Sequence, residues 1–406
     1  MFNLLSPNAP KHLPILGFAL LFAAAPLQQA SPWAVLWTTP CILLASLLIT
    51  WGAESAQFFV AQGFALAILA WMQTLPEFAV EAVLAWRQQT DLLLANLTGA
   101  LRLLTGLAWP MVYLTASIVH RKRTGQGLRL IQLDPHHSVE VVGLIAPLLY
   151  MIFVWWKGKL EVYDAAILIV FYAAYLLMLT KLPPEKDEGI EDLESIPRHI
   201  VLASPLWRTL GICACFLFGG VIIYFTAEPF LGSLVSFATA IGIPSFVVIQ
   251  WLAPVISEFP ELLSTFYFAR QEVKAPVALM NIASSNINQW TLLVAMLPIV
   301  LSLSRGGVSA LAFDGEQERE LLLTISQSSV ALIFLINMQF AWYEALAMFV
   351  LFAAQFALPQ VFGAQAKDWV TGAFLLWTAI EILAILARRR MPEAFSSFST
   401  TWREHV

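Results

Sequence analysis

Two apolar runs, residues 56–86 and 230–268, are each longer than one membrane crossing requires. Each is interrupted near its end by Pro-Glu, at Pro76-Glu77 and Pro260-Glu261. A helical crossing takes roughly 20 apolar residues. A proline removes one backbone donor and displaces a carbonyl from helical bonding. Backbone groups freed at membrane depth are tolerated only where protein buries them or a cavity receives them. An ionised carboxylate at that depth is costly unless a partner offsets it. Each run therefore reads as a broken or re-entrant helix built around a polar site. The composition agrees: 59% of the 406 residues are hydrophobic and 12% charged, against about 25% charged in a typical soluble domain. The net charge of -5, with no basic stripe interleaved with aromatics, excludes a nucleic-acid partner.

The fold class that follows is an all-α polytopic membrane protein of about 12 transmembrane helices. Charge-poor runs place them at 13–29, 34–51, 56–86, 92–117, 139–156, 163–181, 208–226, 230–268, 276–304, 321–338, 341–361 and 369–388. The basic segments His120 to Arg129, Arg270 to Lys274 and Arg388 to Arg390 all fall on one side of this arrangement. Basic loops stay in the cytoplasm, so both termini are expected there, with the acidic loop Phe313 to Leu321 outside. No cleavable signal is read at the N-terminus, since Leu13 to Ala25 runs on into further membrane sequence. Short loops then suggest a prokaryotic cytoplasmic (inner) membrane.

Internal similarity divides the chain. "QTLPEFAVEAVLAWRQQTDLLLANLTGALRLL" in the first half parallels "SEFPELLSTFYFARQEVKAPVALMNIASSNINQW" in the second. Glu77 precedes Asn96 by 19 positions and Glu261 precedes Asn281 by 20. Five spans separate the copies, an odd number, so they enter the membrane from opposite sides. Inverted repeats with broken helices are a transporter architecture, with the site near the midplane. The expected organisation is an N-terminal extra helix (1–32), a first half (33–181, repeat unit about 56–117), an acidic cytoplasmic linker (182–207), a second half (208–364, repeat unit about 230–304), and a C-terminal extra helix and tail (365–406).

Carboxylates, backbone carbonyls and amide oxygens make a hard-cation site, suited to Ca2+ or Na+. The histidines at 12, 120, 136, 137, 199 and 405 lie in polar stretches, which argues against an intramembrane histidine site. Cys41, Cys213 and Cys215 have no second pair or nearby histidine and read as buried thiols. Gln327, Ser328, Ser329, Glu344 and Glu381 read chiefly as helix–helix hydrogen-bonding groups.

With these residues in hand, the chain resembles the sodium/calcium exchanger superfamily, whose two inverted alpha-repeats carry G-T-S-x-P-E followed by G-N-x-x-G-S-N. The matching pieces are Thr74 to Glu77 with Asn96 to Gly99, and Ser257 to Glu261 with Asn281 to Asn286. The resemblance implies that Glu77 and Glu261 are paired central cation ligands. It implies that Asn96 and Asn281 hold the facing helices, that Ser285 and Asn286 complete the ion shell, and that Thr74 and Ser257 contribute oxygens near the breaks. It also implies alternating access, with Ca2+ moving one way and Na+ or H+ the other.

Two departures stand out. The first copy lacks the Ser-Asn of the second signature and places Arg102 about where Asn286 sits in the other. Arg102 is expected either to pair with Glu77 or Glu81 as a tethered cation or to reach an interface. Glu81 and Glu258 are additional acids one turn from the central pair, on the same helical face. Neighbouring carboxylates favour H+ as counter-ion.

The expected function is a secondary cation antiporter, not an enzyme: G-x-S-x-G, H-E-x-x-H and paired intramembrane aspartates are all missing from the sequence. The alternative is a transport-inactive sensor or scaffold that retains the fold. No cofactor is expected; the partners are the lipid bilayer and inorganic cations.

Overall fold

The computed structural model describes residues 31–59, 71–72, 74–182, 190, 193–388 and 392–405. The expected first span at 13–29, the upstream part of the first broken run at 60–70, most of the acidic stretch in the linker and Arg389-Arg390 lie outside the described residues.

The first half contains α1 (Val35–Ala56), α2 (Leu75–Trp86), α3 (Thr90–Leu103), α4 (Trp109–Thr124), α5 (Ser138–Gly143), α6 (Ile145–Lys157) and α7 (Val162–Leu179). A short α8 (Ser195–Leu202) lies within the linker. The second half contains α9 (Pro205–Ala240), α10 (Ser245–Ser257), α11 (Phe259–Ala269), α12 (Ala275–Asn288), α13 (Val294–Arg305), α14 (Gly315–Leu335) and α15 (Trp342–Phe362). The chain closes with α16 (Ala366–Arg388) and α17 (Glu393–His405). Short antiparallel ribbons tie the ends: β1 (Leu130–Gln132) pairs with β4 (Gln339–Ala341), and β2 (Lys159–Leu160) with β3 (Leu311–Ala312).

Among the described residues, eight helices are long and apolar enough to cross a membrane, or nine when α10 and α11 count as one bent span. α14 has the length, but Glu316, Glu318, Arg319 and Glu320 crowd its first two turns. The expected boundary between 208–226 and 230–268 is corrected. α9 runs unbroken for 36 residues despite Pro229. The chain then turns at Ile241 to Pro244, where Gly242 takes φ 72°. Glycine adopts that left-handed conformation without steric penalty. The break at Pro-Glu stands where the sequence puts it, since the axes on either side diverge by 58°. Cys213 is exposed, contrary to the buried-thiol expectation, while Cys41 and Cys215 are buried.

Two further irregularities position the site. The helices after each Pro-Glu break contain one wide π turn, Leu104–Ala108 between α3 and α4 and Gln289–Leu293 between α12 and α13. Each begins eight residues beyond its asparagine, Asn96 or Asn281. An inserted π turn rotates the residues after it relative to those before, and such turns recur at functional positions. Trp109 and Trp290, within or just past these turns, are fully buried.

α3 lies against α10 at unusually close range. A Cβ on Gly99 would collide with the Gln250 carbonyl oxygen. Small residues allow such approach between membrane helices. The obstacle is backbone and cannot swing aside, so Gly99→Ala must part the helices. We expect it to destabilise the protein by about 1–3 kcal/mol, the usual cost of overpacking, seen as a lowered unfolding midpoint in detergent. An unchanged midpoint would show that the contact is looser than this.

Candidate cation site

α2 and α11 both start beside the break, with proline at the second position and glutamate at the third. Proline is harmless there because the first backbone N–H groups of a helix have no intrahelical acceptor. Those free N–H groups, together with the helix dipole, favour a carboxylate. Local structure thus places Glu77 and Glu261 at the breaks. Glu81 follows Glu77 by one turn, and Glu258 occupies the junction between α10 and α11. All four glutamates are buried. They share one electrostatic neighbourhood: Glu77 faces Glu261, and Glu258 faces Glu77, Glu261 and Glu81.

The π turn after α12 supplies the amides between them. Gln289 Nε2 lies 2.7 Å from Glu77 Oε2 and 2.7 Å from Glu258 Oε1, donating to both. One side chain thereby spans the two broken helices. Asn288 donates to the Thr74 hydroxyl, which itself donates to the Trp71 carbonyl at 2.9 Å. Asn96 Nδ2 donates to Glu81 Oε1 at 3.3 Å. Ser285 is buried beside Glu261. Asn286 is buried and donates to the Ile282 carbonyl at 3.1 Å. Asn281 is half-buried near the middle of the same helix. The Ser257 hydroxyl is spent on the Ala253 carbonyl at 3.1 Å.

What remains unsatisfied is almost all oxygen. Among the described residues, Glu77 Oε1, Glu81 Oε2, Glu258 Oε2 and both Glu261 oxygens have no hydrogen-bond partner. Neither do the amide oxygens of Asn96, Asn286, Asn288 and Gln289. Buried polar atoms are ordinarily satisfied, and bare carboxylates are the most expensive exceptions. A hard cation answers this need, because Ca2+ takes six to eight oxygen ligands from carboxylates and carbonyls.

Sequence reasoning stopped at Asn286 and missed Asn288 and Gln289. The signal was present, since polar residues continue down "NIASSNINQ" at helical spacing. Gln289 follows Ser285 by one turn and Asn281 by two, so it continues their face. Gln289→Leu keeps the volume and removes the shared donor from Glu77 and Glu258. We expect Ca2+ affinity to change about tenfold or more, readable by calorimetric titration, while the fold persists. No change in affinity would place Gln289 outside the site.

Arg102 is a correction. Counting back from the π turns, its counterpart is Ile287, not Asn286. One residue along an α-helix is a rotation of about 100°, so the guanidinium points away from Glu77 and Glu81. It enters a second polar cluster instead. Arg102 Nη2 donates to Glu320 Oε2 at 2.5 Å, Nη1 to Gln355 Oε1 at 2.9 Å and Nε to the Thr98 carbonyl at 3.0 Å. Its carbon stands 4.9 Å from the Trp251 ring centre. Lys367 and Gln250 also bond Glu320, the latter at 2.8 Å. Gln327 donates to the Arg102 carbonyl and to Thr105, bridging helices as expected.

With this geometry in place, comparison with known proteins is informative. A family model described as "Sodium/calcium exchanger protein" matches residues 30–181 and 212–359. The crystal structure of an H+/Ca2+ exchanger, CAX, is similar with a TM-score of 0.86 and 30% sequence identity, covering 96% of this chain and 95% of that one. The structure of native YfkE gives a TM-score of 0.56 at 14% identity, covering 89% and 99% of the two chains. The sodium-calcium exchanger NCX_Mj gives 0.51 at 18% identity, covering 84% and 98%. The last two speak to the fold alone. No curated protein matches the sequence.

Proposed function

The chain belongs to the sodium/calcium exchanger family of membrane cation antiporters, and on that premise we propose that it exchanges Ca2+ for H+ by alternating access. The observation that carries the reading is the buried set of unsatisfied oxygens on Glu77, Glu81, Glu258 and Glu261. Glu77 and Glu261 are the central ligands. Glu258, Asn96, Asn286, Asn288 and Gln289 complete or support the shell, with Thr74, Ser257, Asn281 and Ser285 around it. Four carboxylates can be neutralised by a divalent cation or by protons, so the two compete for the same atoms. That competition is the elementary requirement of an exchanger. Similarity to the H+/Ca2+ exchanger at 30% identity supports H+ over Na+ as counter-ion.

The inverted-repeat layout gives the exchange its geometry. The matched Pro-Glu breaks and matched π turns suit two half-sites related by a two-fold axis in the membrane plane, around which one bundle rocks on the other. The basic segments of the sequence support a reading in which the protein lies in a prokaryotic inner membrane with both termini on the cytoplasmic side. The complete acidic cluster favours transport over a scaffold that merely retains the fold.

The test is Ca2+ uptake into proteoliposomes under an imposed pH gradient, compared with an imposed Na+ gradient. Uptake driven by the pH gradient alone is expected. Uptake driven only by Na+ would assign the other counter-ion, and no uptake under either would restore the scaffold reading.

A further inference from the structure

A second cluster of ligating groups lies well along the chain from the carboxylates. "DPHHSVE" (Asp134 to Glu140) leads into α5, on the membrane side where α4 ends in Arg121, Lys122 and Arg123. Pro135 opens a tight 3-10 turn over Pro135–His137, with extended Asp134 ahead of it at φ -73°, ψ 150°. The turn folds the segment on itself. One ligand atom each from Asp134, His136 and His137 lies within 4.8 Å of the others. The two imidazole centres are 4.2 Å apart with ring planes inclined at 45°. One turn on, Glu140 Oε2 stands 3.9 Å from His137 Nδ1. His137 and Glu140 are buried, His136 is half-buried and Asp134 is exposed. The cluster therefore has a fixed floor and an open rim.

We propose that Asp134, His136, His137 and Glu140 bind a transition-metal dication of the zinc class. The plainer reading is an ion pair between His137 and Glu140, but two features favour a metal. Asp134 makes no capping bond to the turn that it precedes, although aspartate is among the best residues at such a position. The four groups are also two imidazoles and two carboxylates, a donor set that zinc favours. Ligand atoms at 2.0–2.2 Å from a tetrahedral Zn2+ lie about 3.3–3.6 Å apart, so the ligand atoms of Asp134, His136 and His137, now within 4.8 Å of one another, close by about 1 Å on binding.

The donor chemistry also separates this site from the cargo site. Imidazole suits zinc, copper and nickel, whereas the glutamates of the transport cluster suit Ca2+. The segment is not isolated from that cluster. Glu140 faces Tyr175 electrostatically, and the Tyr175 hydroxyl shares a 2.8 Å hydrogen bond with Ser284, the neighbour of Ser285. α17 packs on both α5 and the 3-10 turn. A dication here sits between the C-terminal helix and the helix that carries the cation site.

The experiment is a calorimetric titration of the chelator-stripped full-length protein with Zn2+, alongside Zn-edge X-ray absorption of the loaded protein. One Zn2+ per chain is expected at this cluster, with two imidazoles in its shell. The double variant Asp134→Asn/His136→Ala leaves the buried His137 and Glu140 in place and should weaken this binding at least about 100-fold, beyond what losing an outer-shell partner does. Equal Zn2+ affinity in the variant would overturn the proposal. So would a wild-type protein that takes up no Zn2+, or a shell without imidazole. The absorption measurement needs no variant, and neither readout depends on which ions the protein exchanges.

Discussion

Glu261→Gln is expected to erase the stabilisation that Ca2+ gives this protein while leaving the ion-free fold at least as stable as before. Both halves follow from the same geometry. Glu261 is buried with two carboxylate oxygens that no described residue satisfies. In the ion-free state those oxygens only add cost, so an isosteric amide relieves it. In the ion-bound state they are ligands, and Ca2+ affinity falls by orders of magnitude as ligand charge is lost. With Ca2+ at about 100 times its Kd, the native protein gains about 2.7 kcal/mol. A variant with Kd raised about 100-fold gains only about 0.4 kcal/mol under the same conditions. Thermal unfolding with and without Ca2+ reads both numbers. An undiminished Ca2+ shift would remove Glu261 from the site. A large loss of ion-free stability would make it a structural group.

Arg102→Ala should do the reverse: destabilise the fold strongly and leave the Ca2+ response in place. Arg102 and Glu320 are 1% and 2% exposed, with 2.5 Å between guanidinium nitrogen and carboxylate oxygen. Removing one member of a buried pair leaves the other charge uncompensated, at about 3–5 kcal/mol. Lys367 still faces Glu320, which puts the expectation at the lower end of that range. Replacing both members with neutral groups, as Arg102→Met/Glu320→Gln, should recover part of the loss, since a matched apolar or neutral substitute is often tolerated. If Arg102→Ala instead abolished the Ca2+ response without unfolding the protein, the guanidinium would have to be reassigned to the cation cluster. Equilibrium unfolding of the single and double variants, with Ca2+ titration of each, separates these outcomes.

The contrast between Glu261 and Arg102 shows what the sequence could and could not disclose. Pro-Glu inside an apolar run is a local anomaly with a physical price, so the second break and the buried pair Glu77 and Glu261 were legible from one dimension. Glu258, which has no twin because Thr74 stands in its place, was legible as an outlier and does belong to the cluster. Arg102 was read at a position copied from an ungapped motif. Its facing depends on rotation about the helix axis, and a one-residue error there is about a quarter turn. The π turns at Leu104–Ala108 and Gln289–Leu293 carry no strong sequence signature. Packing between helices distant in the chain decides that Gln289 meets Glu77 and that Arg102 meets Glu320. The end of α9 was missed for a related reason. Charge-poor runs were divided at Glu228, yet α9 continues through Glu228 and Pro229, since neighbouring helices can absorb a proline within a membrane helix, and the chain turns only at Gly242.

The central claim is that Glu77 and Glu261 hold the transported cation, and an experimental structure determined in Ca2+ tests it most directly. The expected result is one strong density peak between these carboxylates, with oxygen ligands at about 2.3–2.6 Å and Gln289 still bonded to Glu258. Density for Ca2+ elsewhere, with Glu77 and Glu261 turned from each other or paired to protein donors, would contradict it.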